Sequence, residues 1–363
     1  LVTETGIKVS YSYLTQQYSP ETGLVQDILR DITSELSRGY FTLGPWLEKF
    51  EQAICEKYKV RHCIGVNSGT DALILSLKGR GIKHPNEVIT APNTFVATVG
   101  AIVAVGAKPR FVDVGTDYQI KEQVWSGWYP LMPVHLTGLV KQYETDGKII
   151  HDAAQAIGAE YNGVSVAAMK DVACFSLHPL KNLNVWGDGG FITTNNAGLA
   201  DTLRLLRNHG LQDRDTVVMP GYNSRLDSIQ AIVAWHGLKT IDEINEKRIA
   251  NAQRYDEGLR GCQQVVIPER DPLAKQVYHT YVVQVDRRTE LIADLAAKGI
   301  ETKIHYPVPV HLQPGYAYLG YRRGDFPVAE AQAERILSLP VHQYLTESQV
   351  DHVIQTIRNF YAC

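Results

Sequence analysis

The chain has 363 residues, 44% hydrophobic and 21% charged, with a formal net charge of −3. That is the balance of a soluble globular protein too long for one ordinary core, so two domains, or one large domain with a lobe, are expected. Basic residues do not cluster, which argues against a nucleic-acid footprint, and five cysteines (Cys55, Cys63, Cys174, Cys262, Cys363) without a CxxC pair indicate neither a disulfide framework nor a zinc site.

In chain order, residues 1–10 lack the basic segment and apolar core of a signal peptide. A short alternating stretch, Val9 to Tyr13, ends an N-terminal arm. Residues 23–37 place Leu24, Val25, Ile28, Leu29, Ile32 and Leu36 at helical spacing, and residues 46–58 form a second amphipathic helix with Leu47, Phe50 and Ile54 on one side. Residues 63–66 read as a buried strand that turns through Asn67 to Asp71 into an apolar helix over 72–77. Strand and helix then alternate: 88–90, the helix 97–105, and strands at 110–114, 131–134 and 148–152. The window 97–107 is the most apolar, but it is too short to span a bilayer and carries Gly100 and Gly106. A cytoplasmic protein is expected. Strands that are apolar runs rather than alternating patterns predict a parallel sheet covered by helices on both faces, an α/β fold.

Residues 172–175 read as the end of another buried strand, and 191–194 as the strand after it. Between them Pro179, Gly187, Gly189 and Gly190 forbid regular helix, so the chain loops there and presents Lys181 from a rigid scaffold. A helix over 199–207 and a long helical tract from 224 to about 260 follow, the latter as a spine into a smaller α/β lobe. That lobe is expected to contain a strand at 277–285, a helix at 290–297, a strand at 302–304, and helices at 327–337 and 347–361. The division falls at residue 250: 1–250, with the arm, as the large domain and 251–363 as the small one.

Three constellations on the large domain fit one ligand. Ser68-Gly69-Thr70 lies at a strand-to-helix junction, where free N–H groups favour a phosphate; an ordinary helix cap by Ser68 is the alternative. Asp152 ends an apolar strand and is followed by small residues and Gln155. A buried carboxylate needs a cation, either a protonated pyridine nitrogen of a ligand or a basic side chain of the protein. Lys181 is the third, with Ser176 five positions before it and able to donate to the same phosphate. Pyridoxal phosphate requires this set of a phosphate cradle, a carboxylate for its ring nitrogen and a lysine for its aldehyde. Phe95 is placed to stack on the ring, or else to pack in the core. No pair with metal-ligand spacing such as HExxH occurs, and no metal is called for.

In these stretches the chain resembles the DegT/StrS family of pyridoxal-phosphate-dependent sugar aminotransferases. The resemblance rests on residues 67–73, 133–136, 151–156, 176–190 and 221–227, with His305-Tyr306-Pro307, His311-Leu312-Gln313 and residues 324–330 near the C-terminus, in family order over nearly the whole chain. It implies the aspartate-aminotransferase-like fold, pyridoxal-phosphate fold type I, with a mixed, mostly parallel sheet. Lys181 is then the Schiff-base lysine and the acid and base of the proton shift, and Asp152 pairs with the pyridine nitrogen. Gln155 bonds the ring's 3-oxygen, while Gly69, Thr70 and Ser176 hold the phosphate. Asn223 reaches the phosphate in a neighbouring subunit of a homodimer, or caps a helix starting at Ser224, or both. His178, in the lysine loop, lines the substrate pocket or merely packs; His305, Tyr306 and His311 contact the sugar, although loop histidines are also commonly just solvated. The amine comes from L-glutamate, through pyridoxamine phosphate, and goes to a keto group of a nucleotide-linked deoxysugar. A sugar acid or cyclitol ketone is the alternative substrate.

The dehydratase branch of the family carries histidine where this chain has Lys181, so the lysine points to amine transfer. A nicotinamide-dependent oxidoreductase would carry GxGxxG between its first strand and helix; this junction has only Gly69. A non-catalytic cofactor-binding regulator is the remaining rival.

Overall fold

A computed structural model describes residues 8–121, 129–145 and 147–363; the part of the signal-peptide reading that falls on residues 1–7 lies outside the described residues. A short helix α1 (Leu14–Gln17) leads to α2 (Gly23–Ser37) and α3 (Pro45–Tyr58). Pro45 stands in the first turn of α3, where its missing N–H costs nothing, and Lys59 closes the helix in the left-handed region. Strand β1 (His62–Val66) then runs into α4 (Gly69–Gly79), β2 (Glu87–Thr90), α5 (Val96–Ala104), β3 (Lys108–Phe111) and β4 (Ile150–Asp152). A small hairpin, β5 (Glu160–Tyr161) and β6 (Val164–Ser165), precedes β7 (Val172–Ser176), β8 (Gly190–Thr194) and α6 (Ala197–Arg207).

The large sheet has the order β1-β8-β7-β4. Parallel bridges Val134–Asp152, Leu131–Ile149 and Ile89–Leu131 carry it on to β2, which pairs with β3 in parallel. β8 is antiparallel to both its neighbours, so the sheet is mixed rather than the purely parallel one read from the apolar runs. Because β8 reverses the chain, the C-terminal ends of β1, β7 and β4 share one edge, and the lysine loop starts there. Successive strand residues feed opposite faces: Cys63, Ala173 and Phe175 pack with residues of α2, α3 and the later helix α7 (Ser228–Leu238), while Ile64, Val172 and Cys174 pack with residues of α4, α5 and α6.

The helical tract expected from 224 to 260 is two helices, α7 and α8 (Ile241–Gly258), separated at Lys239–Thr240. It begins four residues later than expected because Asp227, still extended, occupies the cap position. Beyond it come β9 (Val265–Val266), β10 (Ala274–Lys275), β11 (Tyr281–Val285), α9 (Arg288–Ala297), α10 (Pro327–Arg335), β12 (Ile336–Leu339) and α11 (Glu347–Tyr361). The helix read over 327–337 stops at Arg335; Ile336 and Leu337 open β12, a strand buried throughout and paired antiparallel with β11. Of the strand read at 302–304, only Lys303 bridges, to Ser338. A separate core of Tyr255, Tyr281, Leu291, Leu337 and Val353 unites α8, β9, β11, α9, β12 and α11, and Val9 of the arm enters it, whereas β10 pairs with β5 and Ala329 of α10 packs with Ile89, Val99 and Phe111.

One cysteine expectation is overturned. Cys262 and Cys363 form a disulfide, their Cα atoms 5.4 Å apart, tying the turn after α8 to the chain end. An odd count leaves room for one long-range pair, which no spacing pattern announces. Among the described residues no helix is long and apolar enough to cross a membrane.

Candidate active site

The shared strand edge gathers the first residues. Asp152, the last residue of β4, is 4% exposed, and its Oδ2 accepts a 2.6 Å hydrogen bond from Thr98 Oγ1 on α5. Its other oxygen accepts from the Ala154 N–H at 3.3 Å. Burial pushes this carboxyl up, against the Thr98 and Ala154 donors and the positive Lys181, which favour the ionised form. The carboxylate therefore meets a hydroxyl and an amide of the protein rather than the guanidinium or ammonium that a structural ion pair would supply.

Gly69 begins α4, and Ser68 Oγ caps it by accepting the Asp71 N–H at 3.0 Å, so the ordinary-cap reading of Ser68 holds. The first intrahelical bond is Ala72 N–H to Ser68 O, leaving the N–H groups of Gly69 and Thr70 without intrahelical partners. A Cβ on Gly69 would stand 2.6 Å from Ser176 Cβ, and one on Gly190 would stand 2.8 Å from the Gly69 nitrogen. Only glycine at both positions lets the helix N-terminus press against the ends of β7 and β8, which brings Gly69 and Ser176 into contact. Thr70 is exposed on the same turn. Gln155 is 5% exposed, and its amide oxygen has no partner among the described residues.

Lys181 is half-buried in a turn closed by its own N–H to His178 O at 2.8 Å. Burial lowers its amine from 10.5 to about 8, opposed by Asp152. The neutral amine is then half-populated near pH 8 instead of 10.5. Cofactor uptake by the apoenzyme is accordingly expected to quicken with pH and level off above about 8, as stopped-flow absorbance would record. A midpoint near 10.5 would mean the lysine is solvated.

Phe95 is 47% exposed, which removes its core alternative, and its ring lies 5.5 Å from that of Tyr306. His305 bonds Ser338 Oγ at 2.9 Å, stacks on Tyr11 at 5.9 Å, and is depressed to about 4 by burial, then by Lys181 and Lys303. Tyr306 is pushed up to about 12 by burial and by Asp152. His305 thus feels the lysine, and Tyr306 the carboxylate. His178 is exposed, its Nδ1 accepting from the Leu180 N–H at 3.3 Å, and burial and Lys181 lower it.

Two expectations need correction. His311 does not face the others: its side chain is sealed in the core, Nε2 3.0 Å from Glu330 Oε1, with Phe111 and Phe326 around the ring. Asn223 is exposed and bridged to Asn208, and cannot cap a helix that starts at Ser228.

Three side chains were overlooked. Thr98 grips Asp152, and its pairing with Thr94 at helical spacing was a readable sign. His279 is driven well below its ordinary value by burial, then by Lys181 and Arg248, and nothing local in the sequence marks it. Tyr13 donates to the Lys181 carbonyl from 168 residues away.

Sheet order, the reversed β8 and the edge that carries these groups define an aspartate-aminotransferase-like α/β protein of fold type I. Solved structures agree over the whole chain: S. venezuelae DesV in complex with a ketimine intermediate superposes with a TM-score of 0.92 at 37% identity, covering 98% of this chain and 99% of that one. The sequence model of the DegT/DnrJ/EryC1/StrS aminotransferase family matches residues 23–358, and the chain belongs to that family. The dTDP-3-amino-3,4,6-trideoxy-alpha-D-glucose transaminase of Streptomyces venezuelae is 39% identical over 343 residues, 91% of this chain and 90% of the relative. A protein of Geobacillus stearothermophilus named pleiotropic regulatory protein is 37% identical over 364 residues, 96% of this chain and 97% of its own.

Proposed function

We propose that this chain is a pyridoxal-phosphate-dependent aminotransferase that moves an amino group from L-glutamate to the keto group of a nucleotide-linked deoxysugar. The observation that carries the reading is the pair at the strand edge: a buried carboxylate with no cation fixed to it and, beside it, a lysine whose amine burial holds near neutrality. The residues present fit the cofactor. The α4 N-terminus against Ser176 suits a phosphate, and Asp152 meets no fixed cation among the described residues.

Bound pyridoxal phosphate supplies an aldehyde for the amine and a ring that accepts an electron pair. Asp152, with Thr98 donating to it, would hold the proton on the ring nitrogen. Lys181 would hold the aldehyde and, as a free amine, would stand ready to take a proton from the donor's α-carbon and to give one back. A lysine near neutrality can both accept and give back that proton, which a lysine at 10.5 does poorly at neutral pH. Gly69, Thr70 and Ser176, brought together at the α4 N-terminus, would hold the phosphate. Phe95 and Tyr306 flank the site, and His178 and His305 offer polar edges to a sugar.

The choice of a dTDP-linked type of sugar draws support from the Streptomyces transaminase. The division at residue 250 is part of the same reading, supported by the separate C-terminal core. So are a cytoplasmic location and a homodimer in which exposed Asn223 reaches the partner's phosphate. The Geobacillus relative's name favours a regulatory second reading. Adding L-glutamate to the holoenzyme separates the two: an enzyme releases one 2-oxoglutarate per site and leaves the cofactor aminated. A protein that converts with no amino donor is a regulator.

A further inference from the structure

The lysine loop is held from outside by the N-terminal arm, and the bonds converge on the backbone of Lys181. Tyr13 Oη donates to the Lys181 carbonyl at 2.9 Å, and Asn184 Nδ2 donates to the same oxygen at 3.0 Å. Asn184 is in turn gripped by α1: it exchanges two 3.2 Å bonds with Gln17 and accepts from Tyr18 Oη. The Tyr13 ring, 3% exposed, lies under the Arg248 guanidinium at 5.1 Å, with His342 at 5.5 Å and Tyr344 at 6.2 Å between centroids.

Arg248 is the unusual member. It is 2% exposed on α8, bonds only neutral groups among the described residues (Gln343 Oε1 at 3.1 Å, Tyr278 O at 3.2 Å, His279 O at 3.4 Å), and its Nη2 has no partner among them. A buried cation without a carboxylate is costly, and a tyrosine face is one of the few apolar surfaces that offsets it. The guanidinium thereby fixes the ring, and the ring aims its hydroxyl at Lys181.

We infer that Tyr13, locked beneath Arg248, is a positioning residue that sets where the Lys181 amine stands, so the N-terminal arm is part of the catalytic apparatus. This rests on the reading of Lys181 as the reacting amine. Reaction rates fall steeply when a reacting group is displaced by fractions of an ångström, and a carbonyl with two donors is well placed to resist that. Lys181 is faced by Asp152 from β4, His178 from its own loop, and His279 and His305 from the C-terminal lobe. A shift of its backbone alters its burial and its distance to Asp152, and so the pH at which it titrates.

The test uses the holoenzyme with Tyr13→Phe, which keeps the ring under Arg248 and deletes only the hydroxyl. We expect kcat to fall about tenfold, KM for L-glutamate to stay within about twofold, and the pH midpoint of the rate to leave the wild-type value. Should that variant not fold, Asn184→Leu removes the second donor to the same carbonyl and is read the same way. An unchanged kcat and pH midpoint with only a lower Tm would make Tyr13 a plain strut and overturn the inference. Absence of a borohydride-trapped cofactor on Lys181 of the wild type would overturn this and the functional reading together.

Discussion

Lys181→Ala is expected to bind pyridoxal phosphate without a covalent link and to lose amine transfer by about 10²–10⁴-fold, the range of a positioned acid–base group. Single-turnover mixing with L-glutamate measures it. The size of the effect follows from what stands near the lysine. Two alternative bases are close, His279 and His305, but both are depressed by burial and by Lys181 itself. His305 is further tied to Ser338 Oγ, which holds it in place, and His279 is enclosed in the lobe. Added methylamine fits the cavity left by alanine and should restore part of the rate. Retention of full activity would mean that another group moves the proton.

Asp152→Asn is the second large effect. The substitution keeps the side chain's shape and its acceptor oxygen for Thr98, yet it removes the negative charge proposed to pair with the ring nitrogen. Preorganised electrostatic partners of this kind are worth about 10²–10³ in rate. Cofactor affinity is expected to change far less than turnover, because Gly69, Thr70 and Ser176, the residues proposed to hold the phosphate, are untouched. The same variant should also lower Lys181 further, since Asp152 opposes the burial that depresses it. The pH dependence of cofactor uptake by the wild-type and Asp152→Asn apoenzymes reports the lysine, and single-turnover mixing with L-glutamate reports the rate. A variant that turns over normally would place the ring nitrogen elsewhere.

Much of this architecture was legible because apolar periodicity is a local signal. The helices Gly23–Ser37 and Glu347–Tyr361 end where their apolar stripes end, and the second opens on a capping box at Thr346. The strand edge was also legible: Asp152 after an apolar run and Gly69 at a junction are statements about neighbours in sequence. What failed was non-local. β8 reads as an apolar run whichever way it points, and its antiparallel pairing is decided by β1 and β7 rather than by its own residues. Ile336 and Leu337 continue the apolar stripe of α10, yet pairing with β11 pulls them into a strand. His311 sits in a motif beside His305, but Glu330, 19 residues on, claims it for the core. Tyr13 and Arg248 carry no local mark at all, since their meaning lies in a loop far away in sequence.

The central claim is that Lys181 is the amine that holds the cofactor. Borohydride reduction of the holoenzyme, followed by proteolysis and mass mapping, tests it most directly. One reduced cofactor per chain, confined to the peptide that carries Lys181, is the predicted result. A label on any other lysine, or none, would contradict the account.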